Sequence, residues 1–378
     1  MAAALENLHI VDFSRILAGP FATMLLGDLG ATVTKIERPG VGDDTRSWGP
    51  PYDDSNEATY FQSINRNKTS VTIDLASSDG IEMALKMATH ADVVVENFRP
   101  GVMDKLGLGY EVLRELNPGL VYCSITGFGR DGGSHLRGYD LLLQAVGGLM
   151  SITGQAGGEP QKVGVALVDV LAGLYSTVGI LSAVRFREAS GLGQRVEVDL
   201  LSSLLGSLVN EGAAFTSGGV IPTRKGNAHP GIAPCELIPT ADRELAVAVA
   251  TDSQFAALCE SVRAQELVDD PRFETNSARV DNRLLLRNIL IDKLRDRTAT
   301  EWADDLATAG VPAAAVNNIP AAFDTAEQLG LAPIVQVARS DGTVVNLPRN
   351  PISLSKTPPT YRMAPPSLQP EQHPLSIS

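Results

Sequence analysis

Leu8-His9-Ile10-Val11-Asp12-Phe13 is a short, mostly apolar run that reads as a buried strand. An Ala18-Gly19-Pro20 turn follows, and an apolar helix then runs through Leu29 to Gly30. Ala31-Thr32-Val33-Thr34-Lys35-Ile36 reads as a second strand. A strand–helix–strand unit of this kind predicts a parallel sheet. Further strand-like runs lie at 70–75, 92–98 and 120–125, separated by helical stretches at 79–89 and 102–116. That alternation predicts an open, doubly wound, Rossmann-like α/β domain. The first turn carries no GxGxxG, and no P-loop glycine–lysine run occurs near it, so dinucleotide and P-loop readings lose their main support.

Outward from this unit, helices dominate 139–150 and 169–188, and Gly193-Gln-Arg-Val-Glu-Val198 returns as a strand. Gly and Pro are dense in 216–234, as in an interdomain connection. Past it, 235–239 and 244–250 flank Thr-Ala-Asp-Arg like a hairpin. Helices are expected at 252–263, 281–297 and 300–309, the last opened by the capping-box pattern Thr298-Ala-Thr-Glu301. A strand at 313–316, a helix at 320–329 and a hairpin around Asp341-Gly342 lead into a Pro-rich tail expected to have no core of its own. The reading is a large α/β domain over 1–215, a linker over 216–234 and a small α+β domain over 235–312.

With 378 residues, 44% of them apolar, the chain has enough material for two cores. A formal charge of −13 and a pI near 4.9 argue against a general binder of nucleic acid or membrane surfaces. Three scattered cysteines and five scattered histidines lack CxxC or HExxH spacing, so neither a disulfide framework nor a metal site is indicated. The first residues lack a signal-peptide pattern and no apolar run stands out at membrane-spanning length, so a cytoplasmic protein is expected.

Two features suggest chemistry. Gly164-Val-Ala-Leu-Val-Asp169-Val-Leu-Ala-Gly-Leu-Tyr175 holds a single carboxylate among apolar neighbours, which is either a helix N-cap or a reactive group in a dry site. Several turns carry basic residues: Lys35 and Arg38, Arg46, Arg66 and Lys68, and Arg99. Several of these follow predicted strand ends, where open α/β sheets bind ligands, and Arg and Lys there suit a phosphorylated one.

With these motifs in hand, the chain resembles the class III CoA-transferases, the formyl-CoA and carnitine CoA-transferase group to which α-methylacyl-CoA racemase is related. The likeness is carried by Asp12-Phe-Ser-Arg-Ile-Leu-Ala-Gly-Pro20, Leu29-Gly-Ala-Thr-Val-Thr-Lys-Ile-Glu-Arg38, Gly42-Asp43, Arg46-Ser-Trp48 and Asn65-Arg-Asn-Lys68. It continues through Val95-Glu-Asn-Phe-Arg-Pro-Gly101, Gly127-Phe-Gly129, Gly138-Tyr-Asp140 and Val168-Asp169 to Asp270-Pro-Arg-Phe273, Asn276, Arg279-Val-Asp-Asn-Arg283 and Gly310-Val-Pro312.

The resemblance implies that Asp169 is a nucleophile attacking acyl thioesters. A free Asp, with its ordinary pKa of ~3.9, needs no partner base at neutral pH. It implies a CoA pocket on Arg15, Ile16, Leu17, Ala18, Arg38, Asn97, Phe98, Lys105 and Arg137, with Arg38 and Lys105 facing phosphate. It further implies acid-side contacts from Tyr139, Thr251, Ser253 and Gln254. CoA and acyl-CoA would be substrates rather than permanent cofactors, and neither metal nor ATP is called for. The implied partners are an acyl-CoA and a carboxylic acid. The implied assembly is a homodimer of interlocked rings, with 313–378 returning to complete the large domain.

Ala250-Thr-Asp-Ser-Gln254 replaces the glycine-rich loop of oxalate-using members, which argues against an oxalate or formyl substrate. The run Gly147-Gly-Leu-Met-Ser-Ile-Thr-Gly154 resembles members that act on short dicarboxylic acids with succinyl-CoA as donor. Leu368-Gln-Pro-Glu-Gln-His373 departs from the family's Leu-Gly-Glu/Gln-His-Thr motif. Two alternatives stay open: a racemase or epimerase of the same fold, and a non-catalytic CoA-binding protein. Tyr139 stands where the racemases have histidine, which favours transfer over racemisation.

Overall fold

The computed structural model describes residues 3–370. They divide into two units: residues up to Leu149, Lys162–Val220 and those from Ala332 on form the first, while Met150–Gln161 and Ile221–Leu331 form the second. The segments 150–161 and 313–331 thus group with the smaller unit, whereas the sequence reading kept the first in the large domain and gave the second to its return.

In chain order the first unit holds β1 (His9–Asp12), α1 (Ala18–Asp28), β2 (Thr32–Glu37), α2 (Thr59–Ile64), β3 (Lys68–Thr72), α3 (Ser78–Thr89) and β4 (Val93–Glu96). There follow α4 (Val102–Lys105), α5 (Tyr110–Leu116), β5 (Val121–Thr126), α6 (Asp140–Val146) and, at the passage between units, α7 (Leu149–Ile152). Then come α8 (Leu167–Ser190), β6 (Arg195–Asp199), α9 (Leu200–Ser207) and α10 (Val209–Thr216). Six strands form one sheet in the order β3-β2-β1-β4-β5-β6, every pair parallel. This order reverses direction between β1 and β4, and the crevice above their carboxyl ends is where such sheets take ligands.

The strands are apolar on both faces because helices cover both. Ile10, Val93, Val95, Val121, Cys123 and Ile125 face one core, with Val168, Ala172, Ile180 and Ala183 of α8. Val11, Val94 and Tyr122 face the other, with Met83, Ala84 and Leu113 of α3 and α5. α8 lies close on α1: a Cβ at Gly173 would stand 2.8 Å from the Ala18 carbonyl oxygen, so glycine is needed there.

Several expected elements differ. The helix read across 102–116 is two, because Gly107 takes a left-handed φ of +71° that no helix continues through. The strand expected at 70–75 begins at Lys68, which is fully buried. α8 is long and apolar enough to cross a membrane by length and composition, contrary to the sequence reading, which its interspersed Gly, Ala, Ser and Thr misled. One face of it is nevertheless core.

The basic turns differ most. Lys35, Arg46, Arg66 and Lys68 do not project toward a ligand; all are paired inside the protein. The Lys35 ammonium lies 2.8 Å from Asp43 and donates to the Ser14 carbonyl at 2.9 Å. Lys68 donates to Asp12 at 3.2 Å, to the Pro20 carbonyl at 2.9 Å and to Asn65 at 3.0 Å. Arg46 grips both oxygens of Glu37 at 2.8 and 2.7 Å. Arg66 makes a two-pronged pair with Asp28 at 2.9 and 2.6 Å. Burial pulls the Lys68 ammonium down to about 8, against the pull of Asp12. Burial alone would raise the Asp12 carboxyl, but Lys68 and Lys35, together with the Ser14 and Thr23 hydroxyls, outweigh it and hold it below the usual range.

In the second unit β7 (Cys235–Pro239) and β8 (Glu244–Ala248) form the expected hairpin, and β9 (Ala313–Ala315) joins β8 antiparallel. Around them lie α11 (Asp252–Ser261), α12 (Asn276–Asp281), α13 (Arg283–Leu294), α14 (Ala299–Thr308) and α15 (Ile319–Gln328). The Thr298–Glu301 capping box opens α14 as read. The helix expected over 281–297 is α13, which begins at Arg283 and ends at Leu294, and α12 is a separate short helix before it that stops at Asn282.

The chain returns to the first unit as the hairpin β10 (Ile334–Ala338) and β11 (Val344–Pro348), whose Val337, Val345 and Leu347 form a small buried cluster with Tyr361 and Ala364. The tail is tied to the large unit by Arg362 donating to the Gly27 and Ala31 carbonyls at 3.0 and 2.9 Å. The altered motif ending at His373 lies partly outside the described residues. Asp28 is the knot of this junction, accepting from Arg66, from Asn67 at 2.8 Å and from Asn350 at 3.0 Å. Asp28→Ala would strand the buried Arg66 guanidinium, so denaturant unfolding should show a loss of about 3–5 kcal/mol. A loss under about 1 kcal/mol would contradict this account of the junction.

Candidate active site

The crevice between β1 and β4 is built by two turns sewn to each other. Asn97, just after β4, accepts the Arg15 N–H at 2.9 Å and donates to the Arg15 carbonyl at 2.8 Å. Its amide is therefore committed to holding the turn after β1. In that turn Ile16 sits at a φ of 68°, a left-handed conformation that costs a β-branched residue about 1–3 kcal/mol. It is held there by its N–H, shared between both Asp43 oxygens at 3.3 Å. The Arg15 guanidinium lies over the Phe98 ring, 5.0 Å from its centre, and makes no ion pair among the described residues. Burial and the neighbouring Arg38 lower its pKa, as expected of a cation lacking an anion.

Asp169 stands in the first turn of α8, third from its start, and is not the N-cap. Ala166 holds the cap position and has no side chain to offer. Asp140 supplies the missing acceptor from α6: one oxygen takes the Val168 N–H at 2.8 Å and the other takes the Gln144 amide at 2.6 Å. Gln144, fully buried, also accepts the Val163 N–H at 2.8 Å, so α6 fixes the chain on both sides of 164–167. The backbone N–H of Ala18 favours the ionised form of the Asp169 carboxylate, which relates it to the turn after β1. Burial, joined by the like charge of Asp140, pushes its carboxyl up to about 7. The expectation of an ordinary, fully ionised aspartate is thereby corrected.

Asp169 opens into a cavity of about 550 Å³ lined also by Ile16, Phe98, Arg137 and Tyr139, all within the large unit. Of the other residues expected there, Asn97 lines it as well. Leu17 and Ala18 are buried at the start of α1. Arg38 pairs with Asp44 at 2.6 Å, and Lys105 is exposed at the end of α4; neither is among the lining residues. Thr251, Ser253 and Gln254 belong to the second unit and form the N-terminal cap of α11, Gln254 accepting the Ala250 and Thr251 N–H groups at 2.9 and 3.2 Å.

The cavity also exposes Lys162 and Tyr60, for which no role was expected, and it bears out Arg99 among the basic turns as a cavity residue. Arg99 and Lys162, like Arg137, make no ion pair among the described residues. Tyr60 and Trp48 line it as an edge-to-face pair with centres 5.3 Å apart. Burial and then the charges of Asp169 and Asp140 raise the Tyr60 pKa, which records how near its hydroxyl is to both acids. No spacing in the sequence links Tyr60 to Asp169; only the motif around Asp140 carried a signal.

Since the folded pKa of Asp169 lies above its ordinary 3.8, the folded protein keeps a proton here that the unfolded chain has lost. That contribution is complete below pH ~4 and disappears as pH rises through about 7. Asp169→Asn should therefore be more stable than the parent at pH 8, by about 1–3 kcal/mol, with the gain vanishing toward pH 4. Equal melting temperatures at pH 8 would contradict this.

Comparison with known proteins shows the family. Residues 5–373 match the model of CoA-transferase family III. The chain is 39% identical over 370 residues to a succinate–glutarate CoA-transferase of Agrobacterium fabrum, covering 96% of this chain and 92% of that one. It is 38% identical to the succinyl-CoA:glutarate CoA-transferase of Mus musculus, covering 96% and 84%. Among solved structures, a CaiB/BaiF family protein from Brucella suis superposes with a TM-score of 0.90 at 39% identity, covering 97% of both chains. The chain therefore belongs to CoA-transferase family III and is an enzyme that transfers CoA between an acyl-CoA and a carboxylic acid.

Proposed function

We propose that the enzyme carries CoA from succinyl-CoA to a short dicarboxylic acid such as glutarate, through two covalent intermediates on Asp169. The observation that carries the mechanism is a carboxyl in the first turn of an apolar helix, opening into a cavity and held near pKa 7. The ionised Asp169 attacks the thioester carbonyl, forming an aspartyl–succinyl anhydride and releasing CoA thiolate. The thiolate attacks the aspartyl carbonyl, giving an Asp169–CoA thioester and free succinate. The acceptor carboxylate attacks that thioester, forming a second anhydride and again freeing thiolate. The thiolate then attacks the acceptor's carbonyl, restoring Asp169 and yielding the new acyl-CoA.

Each attack places negative charge on an oxygen beside Asp169, where the Ala18 N–H can stabilise it. Raising the carboxylate's pKa also makes it a stronger nucleophile while leaving about half of it ionised at pH 7. Arg99, Arg137 and Lys162 supply positive charge to a cavity that must admit polyanionic substrates next to two acids. The substrate pair is supported by the names of the two glutarate-using relatives and by the 147–154 run.

Support for a homodimer comes from α8, which leaves Leu174, Tyr175, Val178 and Phe186 exposed, and from exposed Leu141, Leu142 and Val146 on α6. Apolar area of that extent calls for a covering surface. A second copy of the chain, in the interlocked-ring manner implied by the family resemblance, is the covering surface we infer.

Incubation with succinyl-CoA and hydroxylamine should leave a hydroxamate on the peptide containing Asp169, and glutarate should become glutaryl-CoA. Asp169→Asn should form no hydroxamate and lose exchange by at least about 10³-fold. Exchange above about a tenth of the parent's in the Asn variant would refute the covalent route.

A further inference from the structure

Glu96 is a buried acid that this mechanism leaves without a task. It ends β4, one residue before Asn97, and is 5% exposed. Among the described residues its carboxylate makes no ion pair. One oxygen accepts the Phe98 N–H at 2.9 Å and the other accepts the Ser124 hydroxyl of β5. Burial pushes the carboxyl up to about 7, with Arg130 lowering it and Asp104 raising it. Arg99, Tyr122 and Arg195 complete its surroundings. Keeping an unpaired acid here costs stability, so a reason for it is to be sought in what its two bonds hold.

They hold the turn that holds the site. The Phe98 N–H is fixed by Glu96, and the Phe98 ring lies against the Arg15 guanidinium. Asn97, between Glu96 and Phe98, carries both hydrogen bonds to the Arg15 backbone. Ser124 ties the same carboxylate to the neighbouring strand, whose following loop brings Gly127 and Phe128 to the cavity. One side chain thus ties the turn after β4 to strand β5, and through Asn97 and Phe98 that turn in turn holds the one after β1, at the point where the sheet order reverses.

We propose that Glu96 is a positioning residue for CoA: by accepting the Phe98 N–H and the Ser124 hydroxyl, it sets the Asn97–Phe98 turn in the position that fixes the Arg15 loop for the CoA moiety. This rests on the reading that CoA lies on the turns after β1 and β4. Both bonds survive protonation, because a neutral carboxyl still offers one oxygen to the N–H and can donate its own hydroxyl to Ser124. Glutamine preserves the same two contacts, whereas alanine preserves neither.

The test measures the Kd of CoA by titration calorimetry, and kcat at saturating succinyl-CoA, in Glu96→Gln, Glu96→Ala, Ser124→Ala and Asn97→Ala. Glu96→Ala should weaken CoA binding by at least about 10-fold with kcat within about 3-fold, and Glu96→Gln should restore the Kd to within about 3-fold of the parent. A folded Glu96→Ala with the parent's Kd, or a Glu96→Gln as impaired as Glu96→Ala, would overturn the proposal. Should Glu96→Ala fail to fold, Ser124→Ala decides: a Kd raised at least about 3-fold with kcat kept supports it, and an unchanged Kd defeats it. Asn97→Ala separates the two levels. If it leaves the Kd unchanged, the placement of CoA on these turns fails and the proposal falls with it. If it raises the Kd while Glu96→Ala does not, Glu96 alone is misassigned.

Discussion

Two buried lysines hold the turn after β1, and the site depends on that turn. Lys68 reaches from β3 and spends its three donors on Asp12, the Pro20 carbonyl and Asn65. Lys35 reaches from β2 to the Ser14 carbonyl and to Asp43, the acid that in turn holds the strained Ile16. Between them they pin both ends of the segment from Ser14 to Pro20. From that segment come the Ala18 N–H at Asp169, the Arg15 backbone gripped by Asn97 and the unpaired Arg15 guanidinium. Removing one member of such a network leaves an uncompensated charge in the interior, which costs more than the intact pair contributes.

The same economy governs Asp169. Its position in the first turn of a helix favours a carboxylate through the exposed N–H groups there. Burial and Asp140 work against ionisation, and they win. Asp140 cannot be dispensed with, because it caps a helix whose own cap residue is Ala166. The result is an acid held in an unfavourable state near neutral pH, a common way in which active sites trade stability for reactivity.

Strand and helix periodicity was readable in the sequence wherever one element alone decided it: β1, β2, β4 and β5 lie close to their expected bounds, and so do α3 and α14. The recognised family motifs led to Asp169 and to the turns at the sheet's reversal. What could not be read was pairing at a distance. Arg66 and Asp28 are 38 residues apart, and Lys68 and Asp12 are 56 apart, so no local pattern tells a buried, neutralised cation from one awaiting phosphate. Asp169 lost its expected pKa for the same reason, since burial and a neighbour 29 positions earlier in the chain are properties of the fold. Glycine breaks inside apolar helical runs, as at Gly107, were visible as residues but not as φ angles.

The central claim is that the fold holds Asp169 as a half-ionised nucleophile at neutral pH. The direct measurement is a ¹³C NMR titration of protein labelled at aspartate carboxyls, with Asp169→Asn identifying the resonance of Asp169 by its absence. A carboxyl signal titrating with a midpoint near 7, and missing from the variant, is the predicted result. If the missing signal instead titrates near 4, as an ordinary aspartate does, the account of the site is wrong.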